Sequence, residues 1–157
     1  MLRANIKKTP RYILEKLDYL HSLLQEVKKK YEDVATYVRD KQLQRTVITL
    51  AQESNQYACE LSSMIKTLGG EMIRTGDYAK IVRQPEPTTS TSVLEYEKEI
   101  LSICAACEKK MISAYREILN EPYLYEGVRN LIRSQFNGVL CAFLQVKLLN
   151  NSLQAHR

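Results

Sequence analysis

The apolar positions of this 157-residue chain recur at alternating steps of four and three over four long stretches. In the first, Ile13, Leu17, Leu20, Leu24, Val27, Tyr31, Val34 and Val38 form an unbroken seam, opened by Thr9 as a capping residue and Pro10 at the first helical position. An average step near 3.5 residues puts them on one helix face and marks left-handed, coiled-coil-like packing. The second stretch repeats the pattern through Leu43, Val47, Leu50, Ser54, Tyr57, Leu61, Met64 and Leu68, and Gly69-Gly70 supplies a stop. The third runs Leu94, Glu97, Leu101, Cys104, Glu108, Met111, Tyr115 and Ile118, behind the capping box Ser92-Val93-Leu94-Glu95. The fourth runs Tyr125, Val128, Ile132, Gln135, Val139, Ala142, Val146 and Leu149. These seams predict helices over about 10–38, 41–68, 92–120 and 122–152, in one domain spanning 1–157, with Asn120-Glu121-Pro122 dividing the last two.

Short breaks at Arg39-Asp40 and at Asn120-Pro122 fold each helix pair back as an antiparallel hairpin. The stretch 69–91 differs: Gln84-Pro85-Glu86-Pro87-Thr88-Thr89-Ser90-Thr91 has the composition of an exposed connection, with room for a short helical turn at Tyr78–Arg83. Extended, such a linker reaches ~75 Å, enough to run the length of a bundle. The fold class is therefore all-α. The favoured architecture is a ferritin-like four-helix bundle, two antiparallel hairpins joined by a long crossover; the alternative is an up-down-up-down bundle with a loose loop. Tyr31-Glu32-Asp33-Val34-Ala35 resembles Tyr115-Arg116-Glu117-Ile118-Leu119, and Ser54 and Gln135 occupy comparable seam positions, a faint internal repeat.

Composition agrees with this. Hydrophobic residues make up 45% and charged residues 26%, a globular balance, while five glycines and four prolines leave little turn material. The opening MLRANIKKTPRY has no apolar core, so no secretory signal is read there, and no apolar run approaches the ~20 residues that span a bilayer. A cytoplasmic protein without membrane attachment is expected, with its four cysteines reduced. The net charge of +5 gathers at Arg3, Lys7, Lys8 and Arg11, at Lys28–Lys30 and at Lys109-Lys110. It reads first as solvated helix faces, and second as a basic N-terminal arm for nucleic acid.

The ending Glu60-Leu61-Ser62-Ser63-Met64-Ile65-Lys66-Thr67-Leu68-Gly69-Gly70 of the second helix, between two hairpins, resembles an uncharacterised bacterial family of ferritin-like four-helix bundles catalogued as a domain of unknown function. The likeness covers roughly residues 12–152 and is most specific from Gln52-Glu53 to Gly69-Gly70 and at the Tyr-containing ends of helices one and three. The resemblance implies the fold and carries no activity. Ferritin-like metal enzymes use two glutamates and two Glu-x-x-His pairs. Here His21 and His156 are the only histidines, neither three residues after a glutamate, and the one partial match, Asp18-x-x-His21, reads as a solvated pair near the bundle end.

Polar residues in the seams are the remaining candidates. Glu108, Gln135 and Ser54 fall near mid-seam; with Glu53, Tyr31, Tyr57 and Tyr115 they read as a self-satisfying polar layer, or as the relic of a cofactor site. Cys104 and Cys107 form a C-x-x-C in mid-helix, without the helix-end dipole that activates redox pairs; with Cys59 and Cys141 they read as small core residues. No catalytic residue, metal or cofactor is assigned. The expectation is a non-enzymatic bundle, an interaction or stress-related structural protein. It is expected to be a homo-oligomer that buries Tyr12, Tyr19, Leu23, Phe136 and Leu140 on a second face, unless these merely widen the core. A degenerate di-iron-type oxidoreductase or iron handler is the alternative, and a nucleic-acid-associated protein the second.

Overall fold

The computed structural model describes residues 9–69 and 93–155, with side chains over 9–69 and 102–152. Four helices and no strand make up these residues: α1 (Arg11–Ala35), α2 (Lys41–Thr67), α3 (Val93–Leu119) and α4 (Glu126–Ala155). The basic arm at Arg3, Lys7 and Lys8, the linker with its Tyr78–Arg83 turn, the capping residue Ser92 and His156 lie outside the described residues, as do the side chains of Leu94, Glu95, Glu97 and Leu101.

The helix ends follow from local hydrogen bonding. Pro10, not Thr9, stands at the N-cap of α1, its carbonyl accepting from the Ile13 and Leu14 amides. Asp40 caps α2 by accepting the Leu43 amide at 2.9 Å, and Gln44 reaches back to donate to the Ala35 carbonyl at the end of α1. Gly69 stops α2 with φ +83°, a left-handed conformation that costs a residue with a Cβ roughly 1–2 kcal/mol. The break between α3 and α4 is longer than the sequence pattern predicts, because α4 starts at Glu126 rather than Pro122. Arg129 holds that turn together. Its guanidinium donates to the carbonyls of Leu119 (2.6 Å) and Glu121 (2.7 Å), which α3 itself leaves without partners.

The helices form a four-helix bundle in which α1 packs on α2 and α3, and α4 packs on α2 and α3. Lys16, early in α1, bonds to Glu121 just past α3 at 2.6 Å, whereas Tyr31, late in α1, faces Cys104 and Cys107. Those two helices therefore run antiparallel. So do α2 and α4, where Gln135 reaches Glu60 and Gly138 lies against Tyr57.

Fully buried Leu17, Leu20, Leu24, Leu61, Ile65, Ile118 and Ile132 make the core. In the second half of α2 the buried line passes through Ala58 and Ile65 rather than Tyr57 and Met64, which are only half-buried. A straight helix turns every 3.6 residues and drifts off a strict 3.5 repeat by ~20° per heptad, moving the inner face one residue along. Leu23 is buried in the bundle's own core and Phe136 packs against it, while Tyr12 and Tyr19 are exposed. Among the described residues no helix is long and apolar enough to cross a membrane.

Candidate functional site

The polar seam residues separate into two groups at different levels of the bundle. The first centres on Gln135, which is 1% exposed. Its Oε1 accepts from the Tyr115 hydroxyl at 3.0 Å; its Nε2 donates to the Tyr57 carbonyl at 3.2 Å and to Glu60 Oε1 at 3.0 Å. A carbonyl and a carboxylate can only accept, which fixes the orientation of the amide. Phe136 stacks on Tyr115 with ring centroids 5.6 Å apart. Burial pushes the Tyr115 hydroxyl far above its ordinary pKa, with Tyr57 and Glu60 adding to the effect, so it serves only as a neutral donor.

Tyr57 borders the same group from α2. A Cβ at position 138 would overlap its hydroxyl oxygen and lie 3.2 Å from Cζ, so glycine at 138 is what admits this ring. Burial, then the nearby Glu53, Glu60 and Cys141, raise the Tyr57 pKa; burial alone raises that of Glu53. Ser54 is buried, at 4% exposure.

The second group is Tyr31 with Cys104 and Cys107. Tyr31 is fully buried, its ring tilted against Phe143 at 6.3 Å, and its hydroxyl has no hydrogen-bond partner. Both thiols face that hydroxyl without making a well-formed bond to it. Burial pushes the Cys104 thiol up to about 12 and raises Cys107 as well, so both are protonated at neutral pH.

Three expectations are corrected, and one residue is added. Glu108 does not join the polar layer: it pairs with Lys147 of α4, at 2.8 Å from Oε1 and 2.7 Å from Oε2, its side chain 17% exposed. The inner face of α3 passes from Cys104 to Cys107 to Met111, because a thiol is buried at little cost and a carboxylate is not. A shallow, open groove of about 600 Å³ lies beside this pair on the solvent side of α3, lined by Ser113, Arg116 and Glu117 among others. Next, Asp18 and His21 are not solvated; they are 5% and 6% exposed, and Asp18 Oδ1 has no partner. Burial, then the charge of Glu15, raises the Asp18 pKa, and burial lowers that of His21. Then, Cys59 and Cys141 are exposed rather than core residues. Finally, Glu60 belongs to the polar layer although no seam contains it.

Among the described residues no three His, Cys, Asp or Glu side chains gather as a metal site. The chain matches no curated protein and no solved structure. A family model does match it over residues 12–121, from the first turn of α1 to just past the end of α3, and with more than half of its length inside that match the chain belongs to the domain of unknown function family DUF2383.

Proposed function

We propose that this protein is a non-catalytic, self-associating structural bundle of ferritin-like arrangement. The arrangement is supported by the pairing of antiparallel neighbours. With α1 antiparallel to both α2 and α3, helices α2 and α3 run parallel, as they do where a long crossover joins two hairpins. The 23 residues between Gly69 and Val93 reach ~75 Å, against about 40 Å for a 27-residue helix.

The self-association rests on one observation. On α4, exposed Cys141, Leu144 and Leu148 follow one another at steps of three and four, with the leucines 55% and 59% exposed. Aliphatic residues at that spacing make a helix stripe suited to a second helix, and a homo-oligomer places the same stripe opposite itself. Inside the bundle Gln135, 1% exposed, spends its amide on protein partners, which suits a layer that fixes register rather than one that binds.

Sedimentation of the full chain at tens of micromolar tests the reading. An oligomer that Leu144→Glu with Leu148→Glu converts to a folded monomer supports it. A wild-type monomer, or an oligomer indifferent to those changes, rejects it.

A further inference from the structure

The buried Tyr31 hydroxyl is a donor with nothing adequate to donate to. Leaving such a group unpaired opposes folding, and a phenylalanine would fill the same space. What faces it is a pair of thiols, Cys104 and Cys107, three residues apart on the inner face of α3 and 5% and 3% exposed. A thiol is a weak acceptor; a thiolate is a strong one, and its bond from a hydroxyl is charge-assisted. The hydroxyl gains an adequate partner only when the sulfurs carry negative charge, which burial alone opposes and a bound cation supplies.

We propose that Cys104 and Cys107 bind one Cu(I) ion between their sulfurs, with the Tyr31 hydroxyl as hydrogen-bond donor to the resulting thiolates. Three observations favour a soft monovalent ion over zinc. Two sulfurs converging on one oxygen supply two ligands, and no further His, Asp or Glu completes a set among the described residues. Structural zinc takes four ligands, whereas Cu(I) is content with two thiolates. The site is also closed to solvent: Cys104 and Cys107 are 5% and 3% exposed, and Tyr31, whose ring packs on Phe143, is fully buried. Binding is a ligand exchange without change of oxidation state: two S–H bonds release their protons to solvent and two S–Cu bonds form. The excess negative charge of a bis-thiolate centre is met by the hydroxyl and by the ammonium groups of Lys30 and Lys110 near Cys107, against which Glu26 and Glu108 act. The other two cysteines, Cys59 and Cys141, are exposed.

The test uses the full chain carrying Cys59→Ser and Cys141→Ser, so that only the buried pair can hold copper. Under anaerobic conditions the protein competes with a chromophoric Cu(I) chelator, and uptake is followed by chelator absorbance and by near-ultraviolet thiolate-to-copper charge transfer. One ion per chain is expected. It should be lost in Cys104→Ala and in Cys107→Ala, both small apolar replacements whose helicity is checked by circular dichroism. Tyr31→Phe should keep the fold and weaken binding by roughly 10–100-fold, as removal of a supporting hydrogen bond does at other metal sites. No uptake, or uptake surviving either alanine variant, overturns the site. Affinity unchanged in Tyr31→Phe overturns the role of the hydroxyl.

Discussion

Replacing Gln135 with methionine should expose how the polar layer contributes to stability. Methionine has nearly the volume of glutamine and no hydrogen-bonding amide, so packing is retained while three bonds are lost, those to Tyr115, the Tyr57 carbonyl and Glu60. The three losses are unequal. The Tyr57 carbonyl lies inside α2 and retains its helical partner, and half-buried Glu60 keeps access to water. Tyr115 has neither recourse, because it is fully buried and its hydroxyl donates only to Gln135. An orphaned buried donor costs about 2 kcal/mol. For a chain of this length that corresponds to roughly 4–8 °C in melting temperature. Tyr115→Phe alone should cost about 1–2 kcal/mol by stranding the Gln135 oxygen. The double variant leaves neither partner stranded, so it should recover most of the loss, with a coupling of about 2 kcal/mol. Urea unfolding of the four proteins, with unchanged slope as the check on two-state behaviour, measures the cycle. Single effects that simply add, to within about 0.5 kcal/mol, would refute the assignment of the cost to this bond.

Gly138→Ala should destabilise by about 1–3 kcal/mol in thermal unfolding, through overlap of the new Cβ with the Tyr57 hydroxyl. In a Tyr57→Phe background most of that loss should vanish, because the overlapping oxygen is gone and alanine favours the helix by about 1 kcal/mol. Asp18→Asn should raise stability at pH 7 by about 1 kcal/mol and leave it unchanged near pH 3. The folded carboxyl titrates above its unfolded value, so the folded state holds its proton longer and loses stability as pH rises through that window; a gain persisting at pH 3 would contradict this. Arg129→Ala should cost about 1–3 kcal/mol by uncapping the end of α3, and Arg129→Lys should recover little, since one ammonium cannot replace a fork bonded to two carbonyls; chemical denaturation of both variants checks it.

The helices themselves were legible because a seam of step 3.5 is a property of one helix alone. The register between helices is not. Gln135 was recognisable as a polar residue on an apolar line, but its partner Glu60 stands 75 residues away and on no seam of α2. Glu108 shows the converse. From Cys104 a seam can step by three to Cys107 or by four to Glu108, and only the position of Lys147 on α4 and the cost of burying a carboxylate decide the matter. Asp18 and His21 are buried for a related reason. A helix contacting two neighbours buries a wider stripe than its primary seam, and α1 packs on both α2 and α3.

Tyr31 and Tyr115 make the sharpest comparison within the molecule. Both are fully buried, both open corresponding stretches of their hairpins in the sequence, and both rings pack against a phenylalanine. Only Tyr115 finds a partner on the helix that follows it, because Gln135 is long enough to meet the hydroxyl and to use its own amide on α2. Ser54, at the comparable place on α2, makes no bond to Tyr31, whose hydroxyl is left beside Cys104 and Cys107. Packing explains both rings and hydrogen bonding explains one hydroxyl. The other is left without a partner in a core that also buries Tyr115, Met111 and Phe143. The two buried thiols in front of it are the chemistry within reach that could give it one.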